Sequence, residues 1–360
     1  MPDPILERVD LYRLAVPLTT PYHLSFGDVH AFDTVLAVLT DSDGRSGIGE
    51  ATVLTGYTDE TIASSWETAR ALAGAVIGRP LAEAMTRAVD AGREAAFTAT
   101  AFATAIEMIE GAPVLDSTVP RVIPLLGTIN EIAPEAMAAN IESLLAKGYR
   151  TLKIKAGLDP AADAARIRRA QSIVAGRALL RTDANQGFTA SQARAFAAEV
   201  PPAGIELLEQ PCAAGDWDAH MQVVPGCPLP LMLDESIYAE ADIDRAASLH
   251  AAAFVKVKLM KFVTLARLAF AIRRIRAHGM GAVLGNGVAT DLGCWMEACV
   301  AADEIVTAGE MNGWLKQRRA LVRNPMQVEG GAIRLPAGYR PEVDWNEIDA
   351  VCTGRHTARA

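Results

Sequence analysis

Acidic side chains end three short apolar runs in the second half of the chain, at Asp183, Glu209 and Asp234. In a parallel α/β barrel the carboxyl ends of all strands meet at one rim, so we expect these carboxylates to lie close together. Without a cation they would repel one another and raise one another's pKa. Oxygen ligands without His or Cys suit Mg²⁺ better than Zn²⁺. The pattern therefore predicts a magnesium site, which Mn²⁺ could also occupy.

Two Lys-x-Lys pairs flank the carboxylates along the chain, Lys153 with Lys155 and Lys256 with Lys258. Residues two apart on a strand point to the same face, so both lysines of a pair leave the strand together. A lysine beside another lysine and a dication loses its proton more readily and can act as a base. The chemistry that fits is removal of a proton α to a carboxylate. The resulting enediolate needs preorganised positive charge.

Other interpretations exist for each set of residues. The acids and Asn185 could cap the helices that follow them, and a lysine at a strand end often just reaches solvent. Three carboxylates in register between two lysine pairs are difficult to explain by capping alone. A Schiff-base barrel, with Lys155 or Lys258 attacking a carbonyl, leaves the carboxylates without a role. A barrel that only binds a ligand has little reason to keep the whole set.

The elements that must position these residues are short apolar runs alternating with helical stretches. The runs predicted to be strands are 122–126, 151–155, 179–183, 205–209, 231–234, 254–258, 282–285 and 305–308. Helices are predicted between them, for example over 134–147, 159–175 and 264–278. This order predicts a parallel α/β fold, most economically a closed barrel. We expect the barrel to occupy residues 118–322.

Residues 1–117 have a pattern typical of an α+β domain. Two β-rich segments, 5–18 and 31–40, are followed by a hairpin turn signal at 41–44. Three Ala-rich segments have helical spacing, at 58–78, 81–94 and 97–110. We expect the tail, residues 323–360, to pack back against this first domain through two short β-like segments, 326–328 and 332–335.

Composition narrows the classes of function. The chain is 51% hydrophobic and has 43 acidic against 34 basic residues, for a net charge of -9. This balance argues against nucleic-acid binding, which needs clustered Lys and Arg. The absence of a long apolar run predicts no membrane span, and the N-terminal residues lack the pattern of a signal peptide. Five cysteines without a CxxC pair are typical of reduced thiols in a cytoplasmic protein.

In combination, these motifs resemble the enolase superfamily, and within it the muconate-lactonizing-enzyme subgroup. That subgroup includes muconate cycloisomerases, dipeptide epimerases, succinylbenzoate synthases and amino-acid racemases. The resemblance rests on TLKIKAG (151–157), RTDANQGF (181–188), ELLEQP (206–211), LMLDES (231–236) and VKVKLMK (255–261), and it covers nearly the whole chain. It implies a modified (β/α)7β TIM-type barrel with an α+β N-terminal capping domain. It also implies Mg²⁺, a small carboxylate substrate and assembly into a homo-oligomer.

The resemblance assigns roles to individual residues. Asp183, Glu209 and Asp234 match metal ligands, and Lys155 and Lys258 match bases on opposite faces of the substrate. Further candidates for supporting the site or contacting substrate are Lys153, Asn185, Glu235, Lys256, Glu310, Asn286, His23 and Tyr57. Residues 20–27 and 55–57 are expected to form capping-domain loops that close over the mouth and exclude water.

The chain departs from the subgroup at the segments that follow three strands. Gly309-Glu310-Met311-Asn312-Gly313 stands where dipeptide epimerases carry an Asp-x-Asp that holds the substrate's ammonium group. Glu310 could orient a cation or pair with a lysine of the site. Phe262-Val263-Thr264 stands where many relatives have Gly-Gly, and no histidine base follows Leu284.

Lysines on both faces make racemisation or epimerisation of an amino-acid-like or other small carboxylate the simplest reaction. Cycloisomerisation of a muconate-type diacid and dehydration of an acid sugar or hydroxy acid use the same constellation and stay open.

Overall fold

The computed structural model describes residues 3–24, 27–54, 60–285 and 287–360. The first three strands and the last strand of the chain form an antiparallel sheet. These strands are β1 (Leu6–Leu24), β2 (Gly27–Asp41), β3 (Ser46–Val53) and β14 (Cys352–Arg359). Their order in the sheet is β14-β1-β2-β3. The predicted turn between β2 and β3 is confirmed, and it is stabilised because Asp41 Oδ1 accepts hydrogen bonds from Asp43 N at 3.0 Å and Arg45 N at 2.9 Å.

Three helices cover one face of this sheet: α1 (Ile62–Val76), α2 (Leu81–Ala91) and α3 (Ala96–Ile109). The helix α3 lies directly on β3, because two glycines of β3 leave room for its backbone. A Cβ at Gly47 would lie 1.9 Å from Ala105 O, and one at Gly49 would lie 2.1 Å from Ala101 O. We call the sheet with α1, α2 and α3 the capping domain.

The second layer is a curled parallel sheet of seven strands, ordered β11-β10-β9-β8-β7-β6-β5. Its strands are β5 (Gly127–Ile129), β6 (Thr151–Lys155), β7 (Leu179–Asp183), β8 (Ile205–Glu209), β9 (Leu231–Leu233), β10 (Phe254–Val257) and β11 (Gly281–Leu284). Strands that follow one another in the chain are neighbours in the sheet, as the alternating pattern predicts.

Helices separate these strands and pack on the outside of the sheet around a continuous apolar core. They are α4 (Pro134–Ala146), α5 (Pro160–Val174), α6 (Ala190–Glu199), α7 (Trp217–Val223), α8 (Glu240–Ser248), α9 (Leu259–Phe262), α10 (Leu265–Ala277) and α11 (Asp291–Glu304). The predictions over 134–147, 159–175 and 264–278 are each confirmed to within one residue. No helix in the described part of the chain is long and apolar enough to cross a membrane.

Two of the eight predicted strands differ from the structure. The run 122–126 was expected to start the barrel, but β4 (Arg121–Pro124) pairs with β13 (Ala332–Leu335), and β13 pairs with β12 (Gln327–Glu329). Pro124 has no N–H to continue a central strand, so the barrel sheet begins only at β5.

The run 305–308 does not form a strand in the structure. Instead, the two residues after it close the barrel through backbone hydrogen bonds. Gly309 O accepts from Leu126 N at 3.0 Å, and Glu310 N donates to Leu284 O at 2.9 Å. These bonds join both edges of the seven-stranded sheet and place Glu310 at its rim.

The tail contacts two different parts of the fold. Its segments β12 and β13 lie against β4, beside the barrel, and not against the sheet of the capping domain. The tail then continues through α12 (Trp345–Val351) into β14, which pairs antiparallel with β1. Neither α12 nor β14 was expected from the sequence.

Two segments, 20–27 and 55–57, were expected to form loops of the capping domain, and the structure describes part of the first one. Residues 20–24 continue β1, and Gly27 begins β2, so the described part of segment 20–27 is the end of a hairpin. The expected loop 55–57 lies outside the described residues.

Candidate active site

Charged side chains from five neighbouring strands meet at the carboxyl-terminal rim of the barrel. Lys155, Asp183 and Glu209 are the last residues of β6, β7 and β8, and the register pairs each with the next across the sheet. Asp234 directly follows β9, and Lys258 directly follows β10. All three carboxylates are fully or almost fully buried. The strands thus bring together the residues that the sequence singled out.

Lysine ammonium groups lie between the carboxylates. Lys153 Nζ lies 2.9 Å from Asp183 Oδ2 and 2.8 Å from Glu209 Oε2. Lys256 Nζ lies 2.9 Å from Glu209 Oε1. Two carboxylates that share one ammonium group are close neighbours, so the charges of this rim compensate one another in a buried space.

Asp234 is held by two further lysines. Lys258 Nζ lies 2.8 Å from its carboxylate, and Lys261 Nζ donates to its backbone oxygen at 2.7 Å and contacts Oδ1 at 3.2 Å. Lys261 also donates to Ile237 O at 2.9 Å. The sequence argument did not assign a role to Lys261, although this residue ends the motif VKVKLMK.

Burial and charge pairing have opposite effects on these groups. Burial raises the pKa of Asp183, but the ammonium groups around it outweigh burial and hold that pKa well below its usual range. For Glu209, burial and the negative charge of Asp183 together raise the pKa. Burial lowers the pKa of Lys258, but the carboxylates around it, Asp234 first and then Glu235 and Glu209, together outweigh burial and raise that pKa. Lys258 therefore remains protonated while it is paired with Asp234.

Lys155 differs from the other lysines because 44% of its side chain is exposed, against 3% for Lys258. Its Nζ lies 2.6 Å from Asp183 Oδ2 and also donates to Asn185 Oδ1. Asn185 Nδ2 in turn donates to Glu235 Oε1 at 3.1 Å. Lys155 thus lies at the open side of the site, and Asn185 and Glu235 support it from the neighbouring strand ends.

Glu310 contacts the site from the point where the barrel closes. Its carboxylate lies 3.1 Å from Lys153 Nζ and 2.7 Å from Lys256 Nζ, and it is buried. The sequence left open whether Glu310 orients a cation or pairs with a lysine of the site. In the structure it pairs with one lysine from each Lys-x-Lys motif.

The side chains of three candidate residues lie outside the part of the chain that the structure describes. His23 belongs to β1, opposite Asp28 of β2, but only its backbone is described. Tyr57 and Asn286 are not among the described residues. Their contacts with substrate stay predictions.

Gln210 is a further residue that the sequence argument did not assign. It directly follows Glu209, and its φ of +36° turns the chain sharply at the rim. Its Oε1 accepts from Asp234 N at 2.8 Å and Ser236 N at 3.2 Å. Gln210 thus ties the ends of β8 and β9 together, and its place in ELLEQP directly after an acid was the only sequence signal for it.

The donor chemistry of the rim suits a hard dication, although ammonium groups lie among the donors. In the part of the chain that the structure describes, no three His, Cys, Asp or Glu side chains are arranged as a metal cluster. Glu209 Oε2 is buried. It lies 2.8 Å from Lys153 Nζ, but the angles of this contact do not suit a hydrogen bond. Glu235 Oε2 is also buried without a hydrogen-bond partner. A metal held by Asp183, Glu209 and Asp234 would have to displace the ammonium groups that contact these three carboxylates.

Comparison with known proteins places this chain in a family. Residues 136–341 match the family described as Enolase C-terminal domain-like, and residues 8–110 match the Mandelate racemase / muconate lactonizing enzyme, N-terminal domain. The chain is 28% identical over 348 residues to the L-Ala-D/L-Glu epimerase of Bacillus subtilis (strain 168), covering 91% of this chain and 94% of that protein.

Two solved structures share the fold over almost their whole length. The N-succinyl Arg/Lys racemase from Bacillus cereus ATCC 14579 superposes with a TM-score of 0.90 at 22% identity, covering 99% of this chain and 100% of that one. The dipeptide epimerase from Cytophaga hutchinsonii, complexed with Mg and the dipeptide D-Ala-L-Val, superposes with a TM-score of 0.88 at 21% identity, covering 98% and 99%. The chain therefore belongs to the enolase superfamily, among the isomerases of its mandelate racemase and muconate lactonizing enzyme group.

Proposed function

We propose that the protein is a Mg²⁺-dependent racemase or epimerase that removes and returns a proton α to the carboxylate of a small, amino-acid-like substrate. The observation that carries this proposal is the buried row of Asp183, Glu209 and Asp234, flanked by Lys155 on one side and Lys258 on the other. The Mg-containing structure with the same fold supports the choice of metal.

Asp183, Glu209 and Asp234 are the residues that would hold the metal. Their oxygens are hard donors, and no thiolate or imidazole takes part in the contacts described around them. A magnesium ion held by these residues would supply positive charge that stabilises an enediolate. Lys153 and Lys256 remain anchored by Glu310, so they keep additional positive charge close to the substrate's carboxylate.

Lys155 and Lys258 act on opposite faces of the substrate in this proposal. Lys155 is on β6 and Lys258 follows β10, with the three acid-bearing strands between them. One lysine takes the α-proton, and the other delivers a proton to the opposite face, which inverts the configuration. Lys155 is partly exposed to incoming substrate, whereas the protonated Lys258 beside Asp234 can deliver a proton and has to lose one before it can accept another.

Cycloisomerisation of a diacid is the second candidate, because the contacts of Glu310 favour a substrate without a free ammonium group. This residue lies where an acidic group would be needed to bind a substrate's free ammonium, but its carboxylate is already bound by two lysines. A substrate without a free ammonium group fits this arrangement better. Both an N-acylated amino acid, for racemisation, and a muconate-type diacid, for cycloisomerisation, meet that condition.

Exchange of substrate hydrogen with solvent tests the proposal. The protein with Mg²⁺ is incubated in D₂O with N-succinyl-L-arginine, L-Ala-L-Glu or cis,cis-muconate, and products are followed by ¹H NMR and mass spectrometry. We expect one deuterium at the α-carbon and loss of optical purity for the amino-acid compounds, or a lactone from muconate. If a Mg²⁺-loaded protein exchanges no α-proton in these or other small carboxylates and forms no lactone, the proposal is wrong.

A further inference from the structure

A buried carboxylate outside the lysine and carboxylate cluster contacts the chain directly after Lys258. Glu297 is on α11 and is 1% exposed. Its Oε1 accepts a hydrogen bond from Leu259 N at 3.1 Å. Leu259 is the first residue of α9 and follows Lys258 in the chain. A side chain from a different helix therefore fixes the backbone beside this lysine.

The short helix α9 needs such an acceptor at its first residue. The first N–H groups of a helix have no partner within the helix, and a side chain at the N-cap position usually accepts from one of them. The N-cap residue here is Lys258, which has no acceptor and whose ammonium binds Asp234. Glu297 takes over the role of the cap, and a carboxylate acceptor makes a stronger hydrogen bond than a neutral one.

The position of Glu297 is itself constrained from the capping domain. At the start of α11, Thr290 N donates to Glu50 Oε1 at 2.7 Å, and Glu50 is on β3. Met260, within α9, and Val263, directly after it, pack in the hydrophobic core of the capping domain. The helix α9 is thus held by Glu297 at its first N–H and by packing against the capping domain.

Glu297 makes this contact in an environment that disfavours a carboxylate. Burial raises its pKa to about 7, although the N–H of Leu259 lowers it. Its second oxygen, Oε2, is buried without a hydrogen-bond partner. A buried polar atom without a partner is costly and calls for an explanation. A glutamate that only filled space on α11 could be replaced by an apolar residue at no loss, so the explanation lies in the contact that Oε1 makes.

We propose that Glu297 is a positioning residue for Lys258: by capping α9, it sets the place at which this lysine leaves the rim and keeps its ammonium next to the carboxylate of Asp234. The importance of Lys258 as a base rests on the proposed function, whereas its placement by Glu297 does not. Two variants separate the role of the acceptor from the role of size. Glu297→Gln keeps an oxygen acceptor, and Glu297→Met removes it at similar volume.

The measurement is the rate of reductive methylation of individual lysines with ¹³C-formaldehyde and cyanoborohydride, read by mass spectrometry of peptides. Lys256 is the internal control, because it lies two residues earlier, within β10, and is buried to a similar degree. In Glu297→Met we expect methylation of Lys258 relative to Lys256 to rise about tenfold, as loss of a hydrogen bond to a charged group allows. In Glu297→Gln the ratio should stay within about twofold of the wild type.

Three results overturn the inference. An unchanged ratio in Glu297→Met shows that Glu297 does not position Lys258. A common rise at Lys256 and Lys258 indicates general loosening of the fold, and a glutamine variant that behaves like the methionine variant removes the role of the acceptor. If neither variant folds, the exchange rate of the Leu259 amide hydrogen is measured in the wild-type protein. The inference requires slow exchange, and an amide that exchanges rapidly overturns it.

The positioning of Lys258 and its role as a base can fail separately. If the methylation ratio changes as expected but Lys258→Met still exchanges the substrate's α-proton at the wild-type rate, Glu297 positions a lysine that is not a base. The inference then stands, and the two-base proposal is wrong.

Discussion

The contact between the capping domain and α10 predicts a pH-dependent stability that one substitution removes. Glu107 of α3 is 7% exposed, and its carboxylate accepts from Leu265 N at 2.7 Å and Ala266 N at 3.0 Å, in the first turn of α10. Burial raises the pKa of Glu107 from 4.5 to about 7, and Glu110 adds to this, although the two N–H groups lower it.

The direction of the effect follows from proton binding. Between pH 4.5 and about pH 7 the folded chain retains a proton on Glu107 that the unfolded chain has released. The stability that this proton contributes is complete below pH 4.5 and is lost as the pH rises through about 7. At about 1.4 kcal/mol per pH unit, the difference in pKa corresponds to a loss of about 3 kcal/mol.

Urea unfolding of the wild type and of Glu107→Gln at pH 5 and pH 8 measures this loss. Glutamine keeps an oxygen for one of the two N–H groups but cannot titrate. We expect the stability of the wild type relative to the variant to fall by about 2.5 kcal/mol from pH 5 to pH 8, because part of the loss already occurs below pH 5. Replacing the exposed Glu94 by Gln is the matched control and should leave the pH dependence unchanged. If the wild type and Glu107→Gln differ by the same amount at both pH values, the reasoning is refuted.

Three further predictions concern the rim and its supports. Val263 has a φ of +68°, a backbone conformation that favours glycine. Glycine usually costs about 1 kcal/mol of stability relative to alanine, but here Val263→Gly should be at least as stable as Val263→Ala in thermal unfolding. A clearly less stable glycine variant contradicts this. Lys155→Met and Lys258→Met should each abolish racemisation while Mg²⁺ binding is kept; full turnover in Lys258→Met favours a one-base cycloisomerisation. Gln210→Leu removes the acceptor for Asp234 N and should weaken Mg²⁺ binding by roughly tenfold or more in calorimetry; unchanged affinity shows that Gln210 does not orient this ligand.

The sequence predicted the barrel and its rim because both depend on local patterns. Strands such as β6 and β7 end in charged residues after short apolar runs, and the order of the chain alone makes them neighbours in a parallel sheet. The run 305–308 was misread because it has the composition of a strand but few backbone partners. Only the packing of both sheet edges determines that Gly309 and Glu310 close the barrel instead.

Contacts between distant segments were beyond the sequence argument. The pairing of Glu310 with Lys153 and Lys256 depends on where the barrel closes, and nothing in the segment itself separates an ion pair from a substrate contact. The caps that Glu107 and Glu297 provide join residues far apart in the chain. An acid in an Ala-rich helix carries no mark of such a role, because its partner is a backbone N–H that any residue could supply.

Calorimetric titration with Mg²⁺ tests the central claim most directly, because it asks whether the carboxylates prefer a dication to their lysines and does not depend on knowing the substrate. The wild type is expected to bind one Mg²⁺ per chain, and Glu209→Gln, which replaces one of the three proposed ligands, is expected to lose this binding while it remains folded. A wild type that binds no Mg²⁺, or a Glu209→Gln variant that binds it equally well, would contradict the account.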